Sequence, residues 1–404
     1  MTPDALSAAA IHYAWLLLPF VAALAAAAFL WETWLEYVRG KFAASQRYVL
    51  LRLVPPREVL KTPAAMEVFL TTLYQTGGEG NWYDLYWKGK SRPYFSLEIV
   101  SVSGDVRFYI YTPENLSKLI EAQLYAQYPG AEVRPDSDYV DDVFYQEDKY
   151  DLFGSRLVLE KPDPYPIKTY IDYGLVGDVE PEVQIDPIAP VVEFMGSVPR
   201  GHQAWIQIIL RAHKKDATDP KSWLKKVDSW KEAAKTEIKK IREESIMEIG
   251  EKKDMKLTKG KEKVIEALER SVSKYGFDVG IRTMAIYPTD ALDGEKGLTR
   301  AGLSGAFRQY NSGELNGFKG ADGAATSFDY PWQDWRGKKL AKKKRKYLEL
   351  YRARAYFGED KHKTFVLNTE ELATIFHLPS SAASAPTFGR VDSKRGEPPS
   401  NLPV

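Results

Sequence analysis

Apolar positions follow three regimes along the chain. From 11 to 31 (IHYAWLLLPFVAALAAAAFLW) the stretch is strongly apolar and carries no formal charge. At about 1.5 Å per residue, a helix here covers roughly 30 Å, the hydrocarbon thickness of a bilayer. Trp15 lies near one end and Trp31, Trp34 and Tyr37 near the other, where interfacial aromatics are favoured. Pro19 falls inside the span and predicts at most a mild kink. The pattern predicts a transmembrane helix over 11–34 after a short extracytoplasmic segment, 1–10. Asp4 is the only charge before it, whereas Arg39, Lys41, Arg47, Arg52, Arg57 and Lys61 follow. The positive-inside rule then places the N-terminus outside and the body in the cytoplasm. The Ala run offers signal-peptidase sites, but the leading segment has no Lys or Arg and the apolar stretch exceeds a usual signal core.

The second regime alternates short strand-like and helical periods. YVLLRLV (48–54) reads as a strand closed by Pro55-Pro56. Met66, Phe69, Leu70, Leu73 and Tyr74 mark one helix face, with Thr62-Pro63 as its N-cap and first-turn proline. FSLEIVSV and VRFYIY flank Ser103-Gly104-Asp105 as a hairpin, with Phe95, Leu97 and Ile99 alternating with polar residues. A helix opens at Thr112-Pro113-Glu114-Asn115, stops at Pro129-Gly130, and leads to a short strand at 131–135. The order β-α-β-β-α-β over 46–136 predicts a ferredoxin-like module. Residues 137–200 read as a turn-rich connecting region with one strand-like run, SRLVLEK at 155–161.

A second α+β module is expected over 201–378, opened by the strand 201–213. Asp219-Pro220 predicts the start of a long helix with Trp223, Val227, Trp230, Ala234, Ile238 and Ile241 along one seam. A second helix carries Val264, Ile265, Leu268, Val272 and Tyr275, so 219–275 reads as a helical insertion. DVGIRTMAIYP (278–288) is a strand, 298–310 helical and 311–335 a loop. TFVL (364–367) is a strand, and Asn368 with Glu371 forms a capping box. The third regime is the Ser/Ala/Pro-rich tail 379–404, without apolar period, which reads as a flexible linker. The fold class is therefore α+β: a transmembrane helix followed by ferredoxin-like modules with a long helical insertion.

Composition narrows the chemistry. The 404 residues include 56 Lys+Arg, 55 Asp+Glu, five His and no Cys. Thiolate metal sites, disulfides and Cys nucleophiles are excluded, and the scattered histidines form no zinc motif. There is no phosphate-binding loop, dinucleotide fingerprint or nucleophile elbow. Gly260-Lys261 lacks the preceding glycine spacing, and Ser197 lacks a second glycine and a base. No catalytic, cofactor-binding or metal-binding residue is assigned, so an enzyme is not expected. The sharpest charge feature is Arg336, Lys338, Lys339, Lys342, Lys343, Lys344, Arg345 and Lys346, beside Trp332, Trp335 and Tyr347. A basic run flanked by aromatics suits nucleic-acid or anionic-lipid contact, though a solvated amphipathic helix over 338–354 explains it equally well. Trp82, Tyr83, Tyr86 and Trp87 form an aromatic loop, a candidate partner-binding surface.

Four strings carry a resemblance: PREVLKTPAAMEVFL, NWYDLYWKGKSRPYFSLEIVSVSGDVRFYIYTPENL, EAQLYAQYPGAEV and FVLNTEELATIFHLP. They resemble the membrane-anchored N-terminal region of conjugative type IV secretion system coupling ATPases. SKRGEPPSNLPV looks like the segment that leads into the P-loop motor of such proteins. The motor motifs are not in this sequence, so nothing catalytic carries over. The resemblance implies a non-catalytic membrane anchor or accessory subunit of a conjugative DNA-transfer machine in the bacterial inner membrane. Its partners would be a coupling ATPase in a separate chain, the membrane and DNA, in an oligomeric assembly. The rival reading is a membrane-tethered scaffold with no translocation role, its 81–87 loop binding a peptide or envelope partner.

Overall fold

A computed structural model describes residues 3–56, 59, 61–143, 149–175, 185–219, 222–247, 257–323, 325–328, 330–357 and 364–380. The chain divides into two compact units. One joins Met1–Arg47 to Thr76–Pro93; the other joins Tyr48–Gln75 to Tyr94–Val404. This division removes 76–93 from the expected 46–136 module.

The first unit is built on helix α1 (Pro3–Ser45), longer at both ends than the expected span. Within it, Trp15–Ser45 is long and apolar enough to cross a membrane, and the apolar window is not buried in the protein. The unit's other element is the five-residue helix α3 (Trp82–Tyr86).

The second unit is one antiparallel sheet with helices on it. Its first strand is β1 (Tyr48–Val54), followed by α2 (Pro63–Thr72). Strands β2 (Tyr94–Val102) and β3 (Asp105–Pro113) form a hairpin. Ser103 and Gly104 both take positive φ, the two-residue turn that matches strand twist. A 3₁₀ turn then leads into α4 (Ser117–Gln127) and β4 (Glu132–Pro135). The stretch expected to be a connecting region supplies β5 (Tyr150–Leu159) and α5 (Ala189–Gly196). β6 (Gln203–Ala212) precedes a small hairpin, β7 (Ala217–Asp219) and β8 (Ser222–Val227). Helices α6 (Ser229–Met247) and α7 (Lys259–Ser273) follow. β9 (Gly276–Pro288), α8 (Asp293–Gly305) and β10 (Phe318–Gly320) come next. The chain then forms α9 (Lys338–Arg352), β11 (Phe365–Asn368) and α10 (Thr369–Ile375).

Two expectations are corrected here. No helix starts at Asp219: 217–219 pairs antiparallel with 222–227, and α6 begins ten residues later. Asp228 caps it, its carboxylate accepting the Lys231 N–H at 3.1 Å. Trp223 and Val227 therefore lie on a strand, while Trp230 is buried. The 311–335 segment is not loop throughout, because Phe318–Gly320 pairs with β5 at the sheet edge.

The sheet order is β10-β5-β9-β6-β2-β3-β1-β4, with β11 also paired to β9. Within each half the strands run fourth, first, third, second in chain order. The halves meet back to back through β2 and β6, where Glu98 faces Gln207. The expected modules are thus parts of a single sheet, and β7 through α7 is inserted between β6 and β9. Helices α2, α4, α5, α8 and α10 bury one sheet face through residues such as Phe69, Ile120, Val192, Leu303 and Leu372. The other face is covered by α9 and the 139–143 turn, through Tyr139, Val140, Tyr347, Leu348 and Tyr351 over Val100, Trp205 and Met284. Both faces of the central strands are therefore dry. The tail from 381 on lies outside the described residues.

Candidate nucleic-acid interface

α9 owes its position to one buried stripe. Tyr347 donates its hydroxyl to the Ser155 carbonyl at 2.6 Å, and its ring lies where a Gly154 side chain would be. Tyr351 packs on Trp205 with ring centroids 5.4 Å apart. The helix ends in a Schellman motif: the Arg354 N–H reaches the Tyr351 carbonyl at 3.0 Å and the Ala355 N–H the Leu350 carbonyl at 3.1 Å. Arg354 takes the left-handed position, φ 48°, that this motif usually gives to glycine.

Its side chain explains the exception. Arg354 Nε donates to Glu98 Oε1 at 2.9 Å and Nη2 to Oε2 at 3.1 Å. Nη1 donates to Asp138 Oδ2 at 2.6 Å. Glu98 also accepts from Ser96 (2.6 Å), Tyr139 (2.8 Å) and Gln207 (3.1 Å). Burial works against the guanidinium charge, but the Glu98 and Asp138 carboxylates more than reverse it and hold its pKa well above the usual value. Burial pushes the Tyr139 and Tyr351 hydroxyls up, so both stay neutral. The Arg354–Glu98 pair is buried, with Asp138 at its partly exposed edge, and it clamps the end of α9 to the centre of the sheet. The alternation in β2 predicts none of this, because it sends Ser96 and Glu98 to a polar face.

The opposite side of α9 faces outward. Lys338, Lys342 and Lys346 recur at i, i+4, i+8 and are exposed, as are Arg336, Lys339 and Arg345. Lys339 Nζ donates to the Gln333 carbonyl at 3.2 Å. Lys343 is half-buried; its Nζ donates to the Gly323 carbonyl at 3.2 Å and lies 5.3 Å from the centre of the Phe328 ring. Lys344 does not belong to the outward face: it is buried and paired with Asp151. Tyr347 is likewise removed from the stacking candidates, since it lies in the core. Beside the stripe, Trp335 is 86% exposed, and Tyr330 and Trp332 stack at 4.4 Å with both rings largely open.

This arrangement opposes helix stability. Cations are favoured at helix C-termini, yet most of this charge lies in the first half of α9; the first turn itself holds no acid, and Asp334 ahead of it supplies a carboxylate at this end, accepting the Leu340 N–H at 2.7 Å. Lysines at i, i+4 repel each other as well. A polyanion laid along the stripe would relieve both costs, and the open rings offer faces to unstacked bases.

The other expected surface, the aromatic loop, belongs to the first unit. Trp82 (67%), Tyr83 (51%) and Trp87 (51%) are exposed, whereas Tyr86 is half-buried with its ring 5.6 Å from Trp31.

Three buried or half-buried titratable groups elsewhere among the described residues are internally paired. His377 is held between the Ala373 carbonyl and Asp186, each at 2.8 Å. His213 lies between Asp278 at 2.5 Å and Asp228 at 3.3 Å. Lys274 bridges Glu67 and Glu370 at 2.7 and 2.8 Å. Among the described residues no group of three or more acidic or histidine side chains is placed to hold a metal ion. A cleft of about 550 Å³ beside α7 mixes Lys161, Lys240 and Lys261 with Glu237 and Glu314.

Residues 27–389 match the family model described as a domain of unknown function, DUF8128. The chain belongs to the DUF8128 family. The match covers α9, the central sheet and the aromatic loop, and leaves out residues 11–26 of the uncharged apolar stretch 11–31. No curated protein matches the chain.

Proposed function

We propose that this chain is a non-catalytic, membrane-anchored accessory subunit of a type IV secretion-like DNA-transfer machine, acting beside a P-loop coupling ATPase. α1 is the single anchor in the bacterial cytoplasmic membrane, with the N-terminus outside and the α+β body in the cytoplasm. The body presents α9 to the transferred strand. The observation that carries the nucleic-acid contact is the outward lysine stripe at the wrong end of a helix dipole, beside three open aromatic rings. The place in a translocation machine is supported by the four resembling strings. We read each half of the sheet as a ferredoxin-like unit. The shared fourth-first-third-second strand order supports this reading, with α2 and α4 serving one half and α5 and α8 the other.

The test is binding of fluorescent oligothymidine to the full chain in neutral-lipid nanodiscs across a salt series. Affinity should fall steeply with salt. The triple variant K338Q/K342Q/K346Q should weaken binding and reduce the slope of log K against log[salt] by about 2, at roughly 0.7 per single-strand phosphate contact. Absence of binding at low salt, or an unchanged slope in the variant, would remove DNA contact from the proposal.

A further inference from the structure

The exposed rings of the first unit lie at one particular depth on α1. Trp34 Nε1 donates to the Tyr86 carbonyl at 3.0 Å, and the Trp34 and Trp87 rings meet edge to face at 5.4 Å. Gly89 has φ +62°, and a side chain there would lie 2.3 Å from the Val38 carbonyl. The 76–93 segment is thus docked on 31–38 of α1 at contact distance.

The segment is also internally braced. Asn81 caps α3, accepting the Asp84 N–H at 2.8 Å. Asp84 holds Lys88 and Lys90 at 3.1 and 3.3 Å. Glu79 takes Arg92 Nε at 3.2 Å, and the backbone at Gly78 passes so close to Ser91 that a side chain would meet its carbonyl oxygen at 2.6 Å. A braced loop holds its outward rings at a fixed height relative to the helix.

That height follows from α1. The uncharged stretch ends at Trp31, and Glu32 and Glu36 come next. If the stretch ending at Trp31 fills the hydrocarbon, the following four to five residues cross a headgroup layer of roughly 6–8 Å. The docking residues of α3 fall there. Trp and Tyr favour this layer, whereas three open aromatic rings on and just after a five-residue helix are costly in water. The nearby lysines are neutralised in part by Asp84, so the contact is aromatic and not a matter of net charge.

We propose that the 76–93 loop is a membrane-interface foot: Trp82, Tyr83 and Trp87 insert into the phospholipid headgroup layer of the bilayer that α1 crosses and fix the depth of the helix. This rests on reading α1 as the anchor. The natural chain has no cysteine, so single-cysteine labelling reports on one position at a time. Full-length variants Trp82→Cys, Tyr83→Cys, Leu24→Cys and Glu243→Cys, each carrying an environment-sensitive dye, are placed in phosphatidylcholine nanodiscs. Doxyl lipids with the quencher near the headgroup or near the chain end then read depth. The substitutions at 82 and 83 remove rings other than those seen to dock on α1, which are Tyr86 and Trp87, so the loop's attachment is retained.

The dyes at 82 and 83 should lose most fluorescence to the shallow quencher and the dye at 24 to the deep one, each read against the dye at 243 in the second unit. Adding phosphatidylglycerol should leave the pattern unchanged. Unquenched dyes at 82 and 83 beside a quenched dye at 24 would overturn the foot, leave the anchor intact, and return the loop to the role of a protein-binding surface. An unquenched dye at 24 would overturn the anchor and the foot with it.

Discussion

Replacing Arg354 by Met tests the buried clamp at the end of α9. The substitution keeps length and apolar volume but removes the guanidinium that bonds Glu98 and Asp138. Glu98 is fully buried, and it would keep Ser96, Tyr139 and Gln207 as donors, all uncharged. Breaking a buried ion pair from one side costs about 3–5 kcal/mol, because a charge is left without its partner. The new side chain also inherits the left-handed backbone, so relief of the roughly 1–2 kcal/mol strain is not available to offset the loss. A loss of that size lowers the melting midpoint of a body this large by about 4–7 °C. The assay is thermal unfolding of the full chain in detergent, followed by near-ultraviolet circular dichroism, which reports the aromatic packing around Tyr139, Trp205 and Tyr351. The double variant E98Q/R354M should recover most of the loss, since no charge is then buried alone. A single variant within about 1 kcal/mol of the parent, or a double variant no better than the single, would refute the reasoning.

Lys344→Gln should behave unlike its neighbours on α9: it should lower the melting midpoint by removing the buried partner of Asp151, while K338Q/K342Q/K346Q, which removes unfavourable dipole and i,i+4 repulsion, should raise it by about 1–2 °C. Gly154→Ala places a side chain within 2.2 Å of the Tyr347 ring and should cost about 1–3 kcal/mol by overpacking, read by the same melt. Asn368→Ala breaks the capping box of α10, in which Asn368 and Glu371 bond reciprocally at 2.9 Å, and should cost about 1 kcal/mol. Burial opposes the charge on His213, but Asp228 and Asp278 outweigh it and raise its pKa to about 9. A raised folded-state value means that this stabilisation is complete below the unfolded pKa of about 6.5 and is lost as pH rises towards 9. His213→Gln should flatten the fall in melting midpoint across that window.

Local signals were readable where one element suffices to satisfy them. The hairpin at Ser103-Gly104, the first-turn Pro63 and the Asn368 capping box involve residues a few positions apart, and each occurs where the pattern predicts. The misread start of α6 shows the limit of periodicity. Trp223, Val227 and Trp230 keep helical spacing across a boundary set instead by the side chain of Asp228. The clamp was not readable, because Ser96 and Glu98 look like solvent-facing alternates until Arg354, more than 250 residues later, is laid over them. The short strand β10 was missed for a similar reason: FKG has no pattern of its own, and its pairing with β5 defines it. On α9 the charge run was plain, but which of its lysines turns inward depends on Asp151, on a strand no local pattern connects to it. The aromatic loop was visible as a cluster, and its docking against Trp31, Trp34 and Val38 becomes apparent only in the first unit's fold.

The most direct test of the proposed role is affinity isolation of the tagged full chain from its native membrane in mild detergent, with quantitative mass spectrometry of what accompanies it. The account predicts that the chain is recovered from the membrane fraction with a P-loop coupling ATPase in stoichiometric amount. Recovery with envelope proteins and no ATPase, or from the soluble fraction, would contradict it.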